Sequence, residues 1–249
     1  MRGKVALITG AGQGVGQGIA LALAGEGVAV AVAGRTEAKL NATCELIRER
    51  GGRAEPFPVD VADTGAVPAV VEQVVGALGG IDVLVNNAYT GAYGPLLSMS
   101  DEDFQRGFRT APFAAFAFMK ACHPHLKARG GSIINLVTSA MVRWDTSTYG
   151  AYAAAKQALK SLTRTAAAEW GRDGIRVNAI APHALSPGLK AWTEHNPEEA
   201  AEFVASIPLG RIGDCEADIG RAVVALVGPD LGYLTGATVP LDGGQAFFG

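Results

Sequence analysis

Cysteine is scarce in this sequence, which argues against a covalent or metal-held framework. Only three of the 249 residues are cysteines, Cys44, Cys122 and Cys215. Their wide separation matches neither a disulfide framework nor the spacing of metal ligands. A reducing compartment is the simplest setting for such a chain. We therefore expect no disulfide bonds and no metal site.

The sequence also lacks basic clusters and long hydrophobic runs. Its formal net charge is −3, and no basic run interleaved with aromatic residues indicates a nucleic-acid surface. The longest apolar stretches, such as residues 28–33, are too short to cross a bilayer. Residues 1–4 lead directly into a predicted strand, without the pattern of a cleavable signal. We expect a cytoplasmic protein that binds neither nucleic acid nor membrane.

What the sequence does contain is apolar material in short, regularly spaced runs. Hydrophobic residues make up 49% of the chain and charged residues 18%, which is enough for a well-buried core. Strand-like runs alternate with helical patterns, which predicts a mostly parallel sheet with helices on both faces. Pro112 and Pro124 are expected to break the helical stretch 101–128. Strands are predicted at residues 5–9, 28–33, 57–61, 81–85, 132–137, 175–181 and 237–241.

A glycine-rich turn, residues 9–16, joins the first predicted strand to the first predicted helix. Glycines let the backbone turn tightly and approach a pyrophosphate. The helix N-terminus then presents free N–H groups and the positive end of its dipole to the phosphates. The strand before the turn and the helix after it favour dinucleotide binding over a turn that serves packing alone.

The end of the second predicted strand bears on the choice of dinucleotide. A carboxylate here would bind the adenosine ribose of NAD. Gly34 offers no side chain, and Arg35 offers a guanidinium that suits a 2′-phosphate. The sequence therefore favours NADP(H) over NAD(H). Glu37 leaves an alternative open, because it could pair with Arg35 or bind the ribose itself.

Three polar residues predict proton transfer to or from a carbonyl–alcohol pair. Tyr152 and Lys156 are four residues apart in a predicted helix, so they share one face. An ammonium beside a phenol favours the phenolate and lowers a pKa of about 10. The Ser139 hydroxyl, on a neighbouring element, could hold a substrate oxygen against the phenol.

Neighbouring residues offer weaker alternatives for these roles. Tyr149 is followed four positions later by Ala153, so it has no lysine partner. Strand alternation would point Thr138 and Ser139 in opposite directions, and Thr138 is expected to be structural. His183 has no evident carboxylate or nucleophile partner and is expected to be a loop residue near the cofactor.

With these motifs in this order, the chain resembles the short-chain dehydrogenase/reductase family. The resemblance runs from Lys4 to about Gly244. It implies an α/β fold, namely a single doubly wound, NAD(P)-binding Rossmann-like domain over residues 1–249 with a mostly parallel seven-stranded sheet. It also implies a homotetramer. Further matching stretches are residues 60–61, 86–88, 176–182 and 241–244.

The resemblance implies a role for each motif residue. Tyr152 would be the general acid/base, and Ser139 would orient the substrate carbonyl. Lys156 would bind the nicotinamide ribose and lower the tyrosine pKa. The other predicted cofactor-binding residues are Gly10, Gln13, Gly14, Val15, Gly16, Arg35, Asp60, Val61, Asn86, Asn87, Ala88 and Pro182.

Three positions depart from the family pattern. Tyr89 and His183 stand where the family usually has glycine, and Ala111 stands where an asparagine completes a tetrad. The neighbouring Pro112 is expected to kink the helix and free a main-chain carbonyl. A water held there could still connect Lys156 to solvent.

The leading interpretation is an oxidoreductase that transfers hydride between NADP(H) and an apolar ketone or secondary alcohol. A non-catalytic nucleotide-sensing protein on the same fold and a reductase of a conjugated double bond are the alternatives. The irregular stretch 183–208 is expected to be a substrate lid, with a surface insertion as the alternative. Residues expected to line an apolar pocket are Tyr89, Met141, Val142, Trp144 and Trp192.

Overall fold

The computed structural model describes residues 1–143 and 148–246 of the chain. Seven parallel strands form one sheet in the order β3-β2-β1-β4-β5-β6-β7. This confirms the predicted α/β class and the seven-stranded parallel sheet. The strands are β1 (Val5–Thr9), β2 (Ala29–Gly34), β3 (Ala54–Pro58), β4 (Val83–Asn86), β5 (Ser132–Leu136), β6 (Arg176–Pro182) and β7 (Thr238–Leu241).

Helices cover both faces of the sheet, as alternating side chains in the strands require. Val5 and Leu7 of β1 face one apolar layer, and Ala6 and Ile8 face the other. The helices are α1 (Gly14–Gly25), α2 (Glu37–Glu49), α3 (Val67–Leu78), α4 (Asp101–Phe108), α5 (Ala114–Arg129), α6 (Gly150–Trp170), α7 (Pro187–His195), α8 (Pro197–Ala205) and α9 (Arg221–Val227). Two π-helical turns span Arg109–Phe113 and Cys215–Gly220.

The strand order reverses between β1 and β4, and this reversal creates a crevice at the carboxyl edge of the sheet. The chain runs outward from β1 to β3 and then returns to place β4 on the other side of β1. Loops that follow β1 and β4 therefore separate at this point. Doubly wound sheets bind ligands at such switch points.

The third strand lies three residues earlier than the sequence predicted. It spans Ala54–Pro58 rather than 57–61, and it is the edge strand of the sheet. An edge strand tolerates proline because one row of its N–H groups needs no partner in the sheet. Asp60 and Val61 consequently follow the strand and reach the crevice.

The two helix-interior prolines act differently. Pro112 lies in the π-helical turn that separates α4 from α5, so the predicted break at this position is confirmed. Pro124 does not break the helix, because α5 continues through it to Arg129. Pro124 is on the exposed face of α5, where water can bond the carbonyl that loses its helical donor.

Within the described ranges, no helix has the length and apolar character needed to span a membrane. The cysteines are free thiols, and Cys44 and Cys122 are buried.

Candidate active site

A cleft of about 410 Å³ opens at the switch point, beside the glycine-rich turn. Two cations at its rim, Arg35 and Lys39, stand close to the start of α2. Lys39 and Ser186 also line the cleft, and no motif in the sequence singled them out. The predicted cofactor residues in its lining are Gly10, Gln13, Gly14, Val15, Arg35, Asp60, Val61, Asn87 and Ala88.

The turn has a shape that only glycine permits. Gly10 and Gly14 have φ values of +66° and +60°, in the left-handed region that side chains disfavour. A Cβ at Gly16 would lie 2.5 Å from Asn87 Nδ2 and 2.6 Å from the Gly10 carbonyl oxygen. Gln13, at the N-terminus of α1, makes no side-chain capping bond. The main chain therefore forms a cradle that fits a dinucleotide pyrophosphate.

Hydrogen bonds between β1 and the segment after β4 hold this cradle. Asn87 Nδ2 donates to the carbonyl oxygens of Thr9 (2.8 Å) and Gly10 (3.0 Å). The Thr9 hydroxyl accepts from the backbone N–H groups of Asn87 (3.0 Å) and Ala88 (3.1 Å). Asn87 and Ala88 thus fix the turn from the far side of the cleft.

At the adenosine end, polar contacts cross the mouth of the cleft. Arg35 Nη2 donates to the Thr90 hydroxyl at 3.1 Å. Lys39 Nζ donates to Gln13 Oε1 at 2.6 Å. Both contacts are exposed, so both cations are available to an anionic group bound in the cleft.

The α6 helix presents Tyr152 and Lys156 on one face, as their spacing predicted. Lys156 is 2% exposed, and its Nζ donates to the Leu136 carbonyl oxygen at 2.7 Å. Burial lowers the pKa of the Lys156 ammonium to about 7. Its Nζ lies 5.8 Å from the centroid of the Tyr152 ring.

The pKa of the Tyr152 phenol lies above its ordinary value, opposite to the direction expected from the sequence. Burial is the main cause, and Tyr93 adds to the rise. A side-chain hydrogen bond with Thr138 lowers the pKa in part. The ammonium of Lys156 is directed at the Leu136 carbonyl, so in this arrangement it does not offset the burial of the phenol.

The two adjacent hydroxyls after β5 have different partners. The Thr138 Oγ1 accepts from the Ala140 N–H at 3.2 Å, and the Thr138 hydroxyl lowers the pKa of the Tyr152 phenol in part. Ser139 is buried, and its Oγ donates to Asp242 Oδ2 at 2.6 Å. The two side chains therefore have different partners, and the structural role expected of Thr138 stays a prediction.

The reason for this difference lies in the local backbone. β5 ends at Leu136, so strand alternation no longer governs residues 138 and 139. A 3₁₀ turn begins at Ser139, and Thr138 caps it by accepting from the Ala140 N–H at 3.2 Å. The cap directs Thr138 and Ser139 to partners on different elements.

Aromatic rings surround the phenol. The Tyr152 ring centroid lies 4.7 Å from that of Tyr89, 5.6 Å from Tyr93 and 6.2 Å from Tyr149. Tyr93 and Tyr149 are 54% and 42% exposed, so these rings form an accessible wall beside the candidate acid. We call Tyr89, Tyr93, Tyr149 and Tyr152 the tyrosine cluster.

The other residues expected in the pocket are distributed more widely. Met141 packs against a small apolar cluster that includes Val137 and Leu159. Val142 is exposed. Trp192 belongs to α7 and contacts Phe203 of α8, with their ring centroids 5.8 Å apart. Trp144 lies outside the described residues.

The π-helical turn packs against α6 and carries Ala111 at the position of the expected asparagine. Ala111 is 2% exposed, and the N–H of Ala114 donates to the Arg109 carbonyl oxygen across the turn. The Thr110 hydroxyl donates to the Thr90 carbonyl at 2.8 Å and accepts from the Thr90 N–H at 3.0 Å. Thr110 therefore fastens this turn to the segment that carries Tyr89.

The segment after β6 folds over the cleft. Ser186 caps α7 by accepting from the Leu189 N–H at 3.3 Å. A Cβ at Gly14 would meet Pro187 Cδ at 3.3 Å, so the start of α7 lies against the glycine turn. The rings of His183 and Phe203 are nearly perpendicular, with their centroids 5.0 Å apart. Burial lowers the pKa of the His183 imidazole.

Comparison with known proteins gives consistent matches over the whole length. The family model described as Enoyl-(Acyl carrier protein) reductase matches residues 10–246. The 12alpha-hydroxysteroid dehydrogenase of Clostridium sp. (strain ATCC 29733 / VPI C48-50) is 41% identical over 251 residues, covering 98% of this chain and 96% of that protein.

Solved structures agree with these matches. A 7 alpha-hydroxysteroid dehydrogenase complexed with NADH and 7-oxo glycochenodeoxycholic acid has a TM-score of 0.92 at 31% identity, covering 98% of this chain and 95% of that one. A protein described as an NAD(P)-dependent gluconate 5-dehydrogenase from Beutenbergia cavernae, with bound NADP, has a TM-score of 0.90 at 33% identity, covering 98% and 97%. Both nicotinamide dinucleotides therefore occur among the relatives.

Proposed function

The chain belongs to the short-chain dehydrogenase/reductase family, and from this premise we propose that it interconverts an apolar ketone and a secondary alcohol with NADP(H). Its relatives are oxidoreductases that act on hydroxyl and keto groups. The observation that carries the proposal is one cluster of groups. The Lys156 Nζ lies 5.8 Å from the Tyr152 ring centroid, and the Tyr152 ring lies 4.7 Å from that of Tyr89, which lines the cleft beside the glycine turn.

A bound nicotinamide supplies the hydride in reduction and accepts it in oxidation. The residues of the chain handle the proton. Because burial raises the pKa of Tyr152, the phenol stays protonated at neutral pH and can donate its proton to a carbonyl oxygen. In its protonated form, Lys156 places a positive charge near the phenolate that this transfer leaves behind.

We assign the orienting hydroxyl to Thr138 rather than to Ser139. The Thr138 hydroxyl lowers the pKa of the phenol, so we propose that the same substrate oxygen meets both hydroxyls. A donor aimed at the oxygen where negative charge develops stabilises the transition state. Ser139, through Asp242, ties the segment after β5 to the chain beyond β7 and serves to hold Thr138 in place.

Cofactor selection is proposed to rest on two cations. Arg35 and Lys39 line the same end of the cleft, and charge-assisted bonds to a 2′-phosphate are stronger than neutral ones. Arg35 donates to Thr90, so the guanidinium is held at the rim rather than paired with Glu37. Both features support NADP(H) over NAD(H).

The proposed substrate is a ketone carried on a ring-rich apolar skeleton. Tyr93 and Tyr149 offer an exposed aromatic wall beside Tyr152, and flat apolar rings stack well on such a wall. The hydroxysteroids in the names of two relatives carry such a ring skeleton. Residues 183–208, with α7 and α8, are proposed to close over the substrate as a lid on the single domain.

A homotetramer in the cytoplasm is the proposed assembly and setting. Phe113 and Phe116 are 57% and 46% exposed on neighbouring turns, and such apolar surface is typical of subunit interfaces. The free cysteines suit a reducing compartment. Light scattering of the purified protein tests the tetramer directly.

The proposed function is tested with a substrate panel and both cofactors. Loss of NADPH absorbance is followed with polycyclic ketones, short aliphatic ketones and conjugated enones. We expect turnover of the ring ketones, with NADPH preferred to NADH. Turnover of enones alone would indicate double-bond reduction, and tight NADPH binding without any turnover would indicate a sensing protein.

A further inference from the structure

Tyr89 places an aromatic ring over the buried lysine of the candidate site. Lys156 Nζ lies 5.1 Å from the centroid of the Tyr89 ring, closer than its 5.8 Å separation from the Tyr152 ring. The Tyr89 and Tyr152 rings are themselves 4.7 Å apart. The ammonium therefore has an aromatic face on two sides and the Leu136 carbonyl on a third.

The position of Tyr89 is fixed by its surroundings. A Cβ at Gly91 would lie 2.0 Å from the Tyr89 hydroxyl oxygen, and one at Gly107 would lie 3.1 Å from it. The next residue, Thr90, bonds through its main chain to Thr110. The two glycines thus leave room for the Tyr89 hydroxyl, and the anchored neighbour Thr90 fixes the segment that carries the ring.

We infer that the Tyr89 ring is a positioning residue that stabilises the charged form of the Lys156 ammonium by a cation–π contact. The inference rests on the proposed function for its catalytic consequence, but not for its physical basis. A cation within about 6 Å of an aromatic centroid is attracted by the ring quadrupole, and the attraction grows when the pair is removed from water.

The balance of forces on Lys156 makes this contact important. Burial is the influence that lowers the pKa of the ammonium, because the charged form loses hydration. The titratable groups that face it are the phenols of Tyr89 and Tyr152. Burial raises the pKa of Tyr89 to about 12 and also raises that of Tyr152. Both phenols are therefore neutral near pH 7, and their ring faces are what they offer the cation.

Catalysis depends on this charge under the proposed function. A charged Lys156 favours the phenolate that Tyr152 forms after donating its proton. The ammonium is present below its pKa and is lost as the pH rises through it. A weaker cation–π contact lowers that pKa, so activity should begin to fall at a lower pH.

The test measures the Lys156 pKa directly, on protein labelled with ¹³C at lysine Cε and titrated by NMR, with Lys156→Met assigning the signal. Tyr89→Leu should lower the pKa by roughly 0.4 to 1.5 pH units, whereas Tyr89→Phe, which keeps the ring, should leave it nearly unchanged. A rise in Tyr89→Leu would show that the ring acts only by excluding water and would overturn the inference.

A second substitution separates the electrostatic effect of the ring from the space that the ring fills. This test does not require that Tyr89→Leu folds. A fluorinated phenylalanine in place of Tyr89 keeps the ring but withdraws its π density, so the pKa should fall relative to Tyr89→Phe. Equal pKa values in these two proteins would overturn the inference.

The pH at which kcat/KM begins to fall on the alkaline side should shift together with the Lys156 pKa measured by NMR. Absent turnover in the wild-type protein would count against the proposed function, while the titration would still decide the role of Tyr89.

Discussion

The dinucleotide cleft and the tyrosine cluster lie side by side, yet different forces shape them. The cleft is built by main-chain geometry, namely left-handed glycines and the bonds from Asn87 to the carbonyls of Thr9 and Gly10. The tyrosine cluster is built by side-chain packing between elements that are distant in sequence. Main-chain conformation, held by the Asn87 side chain, therefore dominates the candidate cofactor site, while side-chain packing dominates the candidate proton-transfer site.

The largest expected effect concerns the tyrosine cluster. Tyr152→Phe removes the proton donor but leaves the ring in contact with Tyr89 and Tyr93. We expect rate losses of roughly 10²- to 10⁴-fold, with NADPH affinity and thermal midpoint unchanged. Single-turnover kinetics and a binding titration on the same preparation measure both. Near-normal turnover would remove Tyr152 from the mechanism.

The next effect concerns the charged end of the cleft. Arg35→Asp replaces a 2′-phosphate donor with a repelling carboxylate. The lost charge-assisted bond is worth about 1.5–3 kcal/mol, or roughly 10- to 150-fold in NADPH affinity. NADH affinity should change far less. Lys39→Ala should act in the same direction with a smaller effect. Equal wild-type affinities for NADH and NADPH would contradict the assignment and direct attention to Glu37.

A smaller effect tests the glycine cradle against a matched position on the same helix. Gly16→Ala places a methyl 2.5 Å from Asn87 Nδ2, whereas Gly25→Ala meets nothing within 4 Å. Overpacking should cost Gly16→Ala about 1–3 kcal/mol of unfolding free energy, together with NADPH affinity. Gly25→Ala should be neutral or stabilising by up to about 1 kcal/mol. Equal denaturant midpoints in the two variants would show that the close approach is not structural.

The last effect concerns the pH dependence of stability. The pKa of Lys156 is about 7 in the folded protein and near 10.4 when unperturbed. Between these values the unfolded state binds more protons, so this group makes the unfolding free energy rise with pH, by at most about 1.4 kcal/mol per unit. Lys156→Met should therefore be more stable than the wild-type protein at pH 7. Urea unfolding from pH 7 to 10 should show that advantage shrinking, and a constant difference would contradict the shifted pKa.

The same contrast explains how far the sequence could predict the molecule. The glycines of residues 9–16, between a predicted strand and a predicted helix, predicted the tight turn. The alternation of strand-like and helical patterns predicted the parallel sheet. The break at Pro112 was predicted from its missing N–H, but the same argument failed at Pro124, where α5 continues. The consequence of the Pro112 break for water access to Lys156 stays a prediction.

Side-chain directions outside regular elements could not be predicted in this way. The partner of Thr138 depends on where β5 ends and on the 3₁₀ turn that follows. The rise in the pKa of Tyr152 depends mainly on its burial, and Tyr93, which comes from a separate loop, adds to it. Lys39 carries no motif, and only the packing of α2 against the cleft brings it to the site.

The most direct measurement of the proton-transfer site compares Thr138→Val and Ser139→Ala with one ketone and one cofactor. If Thr138 supplies the orienting hydroxyl, Thr138→Val should lose roughly 10²- to 10³-fold in kcat, and Thr138→Ser should retain most of it. Ser139→Ala should lose less than tenfold in kcat and instead lower the thermal midpoint, because Asp242 loses a buried donor. A large catalytic loss in Ser139→Ala, with near-normal turnover in Thr138→Val, would contradict this account of the site.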